Sequence, residues 1–166
     1  MQTTLEVEAI ASEKARILII DDDEHIREAM STLLMSHGYI VETAENGKQA
    51  IEKSQTGFYN LALIDIRLPD MYGTQLLTQM KETTPEMIKI IITGYAALEN
   101  AIEAVNKGAD CYLTKPVQVD ELLTVIRDQL KKQQVQREYG EHKLADFIQT
   151  RAKEFDATQQ EQNEPR

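Results

Sequence analysis

From Arg16 onward, short runs of apolar and β-branched residues alternate with longer segments in which apolar positions recur every three or four residues. The short runs are Ile17 to Ile20, Tyr39 to Thr43, Leu61 to Ile64, Ile88 to Thr93 and Cys111 to Thr114, and each reads as a strand. Near-continuous apolar runs of this length suit strands covered on both faces, as in a parallel sheet. Helices are predicted between them from Ile26, Met30, Leu33 and Leu34; from Ala50 and Ile51; from Leu76, Leu77 and Met80; from Ala101, Ile102 and Val105; and from Leu122, Leu123, Ile126 and Leu130. Gly38 and Gly108 stand where a left-handed residue ends a helix, while Asn46-Gly47 and the segment Pro69 to Gly73 mark turns. The pattern is that of five βα units around a parallel sheet, an α/β fold.

The flanks differ from this core. Residues 1–15 are acidic and aperiodic and read as a flexible lead-in, so that the folded domain spans 16–131. Residues 132–166 are rich in Gln, Glu and Lys and read as a polar extension, solvated or partly helical. Within it Leu144, Phe147, Ile148, Arg151 and Phe155 fall on one face of a short helix that would dock on a partner or on another copy.

Charge and composition narrow the function classes. At 166 residues and 42% hydrophobic content, the chain has room for one domain with a modest extension. A net charge of −10 and the lack of a basic patch argue against direct nucleic-acid binding. No apolar run is long enough to cross a membrane and the N-terminus lacks the features of a secretory signal, so a cytoplasmic protein without membrane insertion is expected. The single cysteine, Cys111, reads as a buried small side chain, and His25, His37 and His142 are too scattered to form a metal set.

In an open parallel α/β sheet, ligands gather at the carboxyl ends of the strands. That rule selects Asp21, Asp22 and Asp23 after the first strand, Asp65 after the third, Thr93 at the end of the fourth, and Lys115-Pro116 after the fifth. Carboxylates crowded at one edge resist ionisation unless a cation offsets them, and Mg²⁺, a hard ion that takes oxygen ligands, suits Asp21, Asp22 and Asp65. Asp65 is the candidate nucleophile, since a carboxylate can form an aspartyl phosphate. Lys115 would neutralise one phosphoryl oxygen and the Thr93 hydroxyl would bond another. Asp23 reads as a helix cap rather than a ligand.

The pieces ILIIDDDEHIR, LALIDIRLPDMYG, IIITGYA and GADCYLTKP, in this order and spacing, resemble the receiver domain of two-component response regulators over Arg16 to about Leu130. The resemblance implies a flavodoxin-like, doubly wound sheet of strand order 2-1-3-4-5 and a cis bond before Pro116. It implies metal ligands at Asp21, Asp22, Asp65 and the backbone carbonyl of Arg67. It further implies Asp65 as phosphoacceptor, Thr93 as switch hydroxyl, Lys115 as phosphoryl-binding base, and Tyr112 as the aromatic that moves with the switch. Arg67 and Tyr95, each two residues beyond a key position, would tune the lifetime of the phosphoryl group. The family's partners are a histidine kinase or phosphotransfer protein, expected near His25, Ile26, Pro116 and Val117, and a downstream protein target. Output, and a homodimer, would use the face formed by the fourth helix, fifth strand and fifth helix, around Ala97, Tyr112 and Val117.

The pieces IIITGYA and GADCYLTKP look like those of receivers attached to nitrogen-regulator-type activators. The extension is too short for the usual DNA-binding effector domains, so the expectation is a stand-alone phosphoacceptor switch, not an enzyme. Two alternatives are a phosphorylation-independent interaction module and an excerpt of a longer transcriptional regulator. A haloacid-dehalogenase-type phosphatase would need a second Asp two residues after the nucleophile, where this chain has Arg67, and an FMN binder would not place DDDEH in its phosphate loop.

Overall fold

The computed structural model describes residues 14–95 and 97–162. Five strands, β1 (Arg16–Ile20), β2 (Ile40–Ala44), β3 (Leu61–Ile64), β4 (Ile88–Thr93) and β5 (Cys111–Thr114), form one sheet in the order β2-β1-β3-β4-β5. All neighbouring pairs are parallel. The intervening helices are α1 (Glu24–Ser36), α2 (Gly47–Thr56), α3 (Gly73–Thr83), α4 (Leu98–Asn106) and α5 (Val119–Gln162). The strand order and the flavodoxin-like α/β architecture expected from the sequence are those observed.

Alternation along the strands sorts the apolar side chains into two cores, one on each face of the sheet. Leu18, Ile20, Ala62, Ile64 and Ile91 pack with Ala50 of α2, Leu76, Leu77 and Met80 of α3, and Ala104 of α4. On the other face, Ile17, Ile19, Leu61, Leu63, Ile90 and Ile92 pack with Leu34 of α1 and with Leu122, Leu123 and Ile126 of α5. Cys111, expected to be buried, is only partly so, because β5 is the edge strand, and with Val117 it lies at the margin of this second core.

The helix ends follow their chemistry. Asp23 caps α1, its carboxylate accepting from the N–H groups of His25 and Ile26. Gly38 and Gly108 have φ of 89° and 101°, the left-handed conformation that lets the chain leave α1 and α4. The second strand starts at Ile40, one residue later than the apolar run, because the Tyr39 N–H is spent on the carbonyl of Leu34 at the end of α1. Lys89, the only charged residue of β4, is buried and satisfied by the carbonyls of Thr84 and Met87 at 2.9 and 2.8 Å.

The chain divides into two units at Leu130 and Lys131. Residues 1–13 of the expected lead-in lie outside the described residues, as do residues 163–166. The expected extension is helical from Lys131 to Gln162, within α5, and Leu144, Phe147, Ile148 and Phe155 are exposed. The strong helix formers of this segment, Gln, Glu, Lys and Arg, account for the local conformation. No helix among the described residues is long and apolar enough to cross a membrane.

Because both cores are completed by residues up to Leu130, a chain ending at Lys131 is expected to unfold cooperatively within about 4 °C of the full chain. Circular dichroism melts of the two lengths check this, and a larger drop would show that the extension stabilises the first unit.

Candidate functional site

Four side chains meet at the carboxyl edge of the sheet because the parallel ladder runs one residue past the strands. The Asp21 N–H donates to the Ala44 carbonyl at 3.1 Å, the Asp65 N–H to Ile20 at 2.9 Å, and the Lys115 N–H to Thr93 at 2.9 Å. These bonds pin the backbone of Asp21, Asp65 and Lys115 before any side-chain contact is made. Gly73 adds a further constraint, since its N–H donates to Ile66 at 2.6 Å and a Cβ there would collide with the Asp65 carbonyl and approach Ile66 Cα at 2.9 Å. Only glycine lets α3 start this close to the acidic loop.

Asp21, Asp22 and Asp65 each present a carboxylate oxygen, and the three oxygens lie within 4.8 Å of one another. Lys115 Nζ bridges two of them, at 2.7 Å from Asp21 Oδ2 and 3.1 Å from Asp65 Oδ2. Asp21 Oδ1 accepts from the Asp23 N–H at 2.9 Å, and Arg27 Nη1 donates to the Asp21 carbonyl at 2.7 Å. Asp65 Oδ1 accepts from the Arg67 N–H at 3.3 Å. Asp22 is exposed and its side chain faces solvent, where a ligand would arrive.

The electrostatics are incompletely balanced. Burial pushes the Asp21 carboxyl above its usual value despite its bonds to Lys115 and Asp23, and the nearby Asp65 charge adds to that rise. Burial works to lower the Lys115 ammonium, but its bonds to Asp21 and Asp65 outweigh this and raise it, so Lys115 stays charged. One ammonium against three carboxylates leaves room for a hard cation with oxygen ligands, and Mg²⁺ fits this donor set.

A second network adjoins the first. The buried Thr93 hydroxyl accepts from the Tyr95 N–H at 3.1 Å, while the Tyr95 carbonyl accepts from Tyr112 Oη and Asn100 Nδ2, both at 3.3 Å. The Arg67 guanidinium lies 3.5 Å from the centroid of the Tyr95 ring, a close cation–π contact. Tyr112 is half-buried against the first core, and the Lys115-Pro116 bond is cis. His25 and Pro116 are exposed and Ile26 and Val117 half-buried, at the same end of the sheet. On α4, Leu98, Ile102 and Val105 are exposed at 75%, 53% and 60%, an unusual density of apolar surface.

Arg27 and Gly73 escape the sequence reading. Arg27 sits on an amphipathic helix among other charges and carries no signal, whereas Gly73 was legible only as the end of a turn. Gly73→Ala is expected to destabilise the protein by roughly 1–3 kcal/mol through overpacking against the Asp65 backbone, measured by urea unfolding. Saturating Mg²⁺ is expected to raise the melting temperature, by the equivalent of about 2.7 kcal/mol at a hundredfold excess over Kd, and Asp21→Asn to remove most of that gain. Since Asp21 has a folded-state pKa above its unfolded value, its ionised form costs stability in the metal-free protein, and protonation on acidification relieves that cost. The Mg²⁺-dependent gain therefore shrinks as pH falls, which melts across a pH series check.

The family model of the response regulator receiver domain matches residues 17–127. The chain is 36% identical over 121 residues to the transcriptional regulatory protein ZraR of Klebsiella oxytoca, covering 73% of this chain and 27% of that protein. It is 38% identical over 112 residues to the transcriptional regulatory protein DltR of Streptococcus agalactiae, covering 68% of this chain and 50% of that one. The chain thus spans from about a quarter to half the length of these relatives. Among solved structures it is similar to a CheY-like response regulator receiver domain protein of Methanospirillum hungatei, at 44% identity and a TM-score of 0.73, over 74% of this chain and 98% of that one. A receiver domain protein of Clostridium thermocellum aligns at 32% identity and a TM-score of 0.67, over 73% and 98% of the two chains. The chain belongs to the response regulator receiver domain family of two-component systems.

Proposed function

We propose that Asp65 accepts a phosphoryl group and that its gain and loss switch the protein's contacts with other proteins. The observation that carries this reading is the position of Lys115 Nζ, shared between Asp21 and Asp65 beside a third carboxylate at the edge of the sheet. A carboxylate is a weak nucleophile toward an anionic phosphoryl group, and the barrier is largely electrostatic. Bound at Asp21, Asp22, Asp65 and the Arg67 carbonyl, Mg²⁺ would neutralise charge between the carboxylate and the phosphoryl oxygens.

The remaining work falls to the chain's own groups. The Arg67 N–H and Lys115 hold the two Asp65 oxygens and orient them. In the transfer, an Asp65 oxygen attacks phosphorus as the phosphorus–nitrogen bond of a donor phosphohistidine breaks, and the electron pair leaves with the imidazole, which is protonated. In this reading Lys115 and the Thr93 hydroxyl take phosphoryl oxygens. Loss of the group requires attack by water, and in this reading the stacked Arg67 and Tyr95 side chains flank its route. The donor in this reading is a histidine kinase or phosphotransfer protein docking at His25, Ile26, Pro116 and Val117, in the cytoplasm. The output passes through α4, β5 and the start of α5, where exposed Leu98, Ile102 and Val105 also suit a homodimer. A phosphorylation-independent module would have no use for the Asp65, Lys115 and Thr93 set, which favours the phosphoacceptor reading.

Incubation with Mg²⁺ and acetyl phosphate is expected to add one phosphoryl group to the intact protein, seen by mass spectrometry, and to add none to Asp65→Asn. No gain in folded, Mg²⁺-bound protein, with acetyl phosphate or histidine kinases, would overturn the assignment. Replacing Arg67 and Tyr95 together by Ala is expected to shorten the phosphoryl lifetime severalfold, read by following dephosphorylation of the purified phosphoprotein.

A further inference from the structure

The loop from Ile66 to Tyr72, which carries Arg67 past Asp65, is closed at its base. Arg67 pairs with Tyr72 across it, the Leu68 N–H donates to the Met71 carbonyl at 3.3 Å, and Gly73 is bound to Ile66. Pro69 and Asp70 form the tip, Pro69 supplying the fixed φ of a turn's first central position. Leu68 and Met71 on its flanks pack against the first core, which leaves the polar tip to be fixed. The tip is held from outside by a different element.

That element is the N-terminus of α2. Asp70 Oδ1 accepts from the Gly47 N–H and Oδ2 from the Lys48 N–H, both at 2.9 Å. The Asn46 side chain caps the Gln49 N–H at 2.8 Å and the Asn46 carbonyl takes Ala50 at 3.2 Å. All four leading N–H groups of α2 are thereby satisfied, two of them by a carboxylate from another element. The helix has no acidic residue in its own first turn, so Asp70 also supplies the anion its dipole favours. Burial works to raise the Asp70 carboxyl, and the N–H groups of Gly47, Lys48, Asp70 and Met71 outweigh it and lower it. Beside this bond, the Met71 side chain fills the space over Gly47, where a Cβ would come within 2.6 Å of its Cγ.

We propose that Asp70 is a positioning residue, which clamps the β3–α3 loop to the N-terminus of α2 and so fixes Arg67 beside Asp65 and against Tyr95. It touches none of the reacting groups. Its effect passes along three residues of backbone to the Arg67 N–H on Asp65 Oδ1, the Arg67 carbonyl proposed as a metal ligand, and the guanidinium on Tyr95. With the base, the apolar flank of Leu68 and Met71 and the tip all tied, the loop has one placement; without the bonds at the tip it gains freedom that reaches Arg67. The inference rests on the phosphoacceptor reading, because Mg²⁺ affinity and phosphoryl lifetime are the properties the loop controls.

The test compares Asp70→Ala, which removes both acceptors, with Asp70→Asn, which keeps one, in the full chain. Mg²⁺ affinity is measured by calorimetry, phosphoryl lifetime after acetyl phosphate treatment, and stability by thermal melts. Asp70→Ala is expected to weaken Mg²⁺ roughly three- to tenfold, at or below the low end of outer-shell effects, and to change the lifetime severalfold, with Asp70→Asn between it and the parent. A lowered melting temperature with unchanged Mg²⁺ affinity and lifetime would overturn the proposal and leave Asp70 as a helix cap alone. Should Asp70→Ala not fold, Asp70→Asn decides by the same two readouts. An unsubstituted protein that binds Mg²⁺ but takes no phosphoryl group would sink the phosphoacceptor reading, while the affinity comparison still judges the clamp; failure to bind Mg²⁺ would sink both.

Discussion

The crowding of three carboxylates around one ammonium is the constraint on which the rest of the site depends. Two partly buried charges of like sign 4.8 Å apart repel by roughly 3.5 kcal/mol at an effective dielectric of 20, less where one is exposed, and a flexible loop would relieve that by moving apart. Here it cannot. The ladder bonds from Asp21 to Ala44, from Asp65 to Ile20 and from Lys115 to Thr93 hold the carrier residues in register with the sheet. The repulsion between the two pinned carboxylates is therefore kept in the folded state, offset in part by Lys115, and a hard cation at the cluster would relieve it.

Holding the residues in this way requires a stiff sheet, which the two cores supply. Ile17, Leu18, Ile19 and Ile20 of β1 are almost wholly buried, alternating between the two faces, and so are Leu61 to Ile64 of β3. Close packing on both sides leaves the central strands no room to slide, because a shift of one residue would exchange the two sets of side chains. The loops at the carboxyl edge have less cover. Their placement comes from polar contacts, from glycines that admit close approach, as at Gly73, and in the β3–α3 loop from Ile66 in the first core and Leu68 and Met71 at its margin.

This division explains what was legible in the sequence. The strands, their parallel arrangement and the acidic edge could be read because apolar runs and strand-end aspartates are local signals whose meaning the fold class fixes. The cap at Asp23 was legible for the same reason, lying next to the helix it serves. Asp70 was not: it read as a turn residue after Pro69, and its partners lie 23 and 22 residues away at Gly47 and Lys48. The late start of β2 was missed because Tyr39 has strand-like composition while its N–H belongs to the end of α1. For Asp70 the deciding interaction joins two elements and no local pattern encodes it, whereas the Tyr39 bond belongs to the motif that Gly38 closes at the end of α1, a local signal that outweighs strand-like composition.

The polar network also constrains how a signal can leave the site. A ligand shifts an equilibrium only by contacts made in one state and not the other. In this structure the Thr93 hydroxyl is engaged by the Tyr95 N–H, and Tyr95 in turn holds Tyr112 and Asn100 through its carbonyl and Arg67 through its ring. Under the proposed chemistry, a Thr93 hydroxyl that turned to a phosphoryl oxygen would release or drag the Tyr95 backbone. That movement would disturb the bond to Tyr112 on β5, the bond to Asn100 on α4 and the stack on Arg67 together. Each contact is weak alone and partly exposed. Their convergence on one residue is what would let a change at Asp65 reach the exposed apolar surface of α4 as a single step rather than as several independent ones.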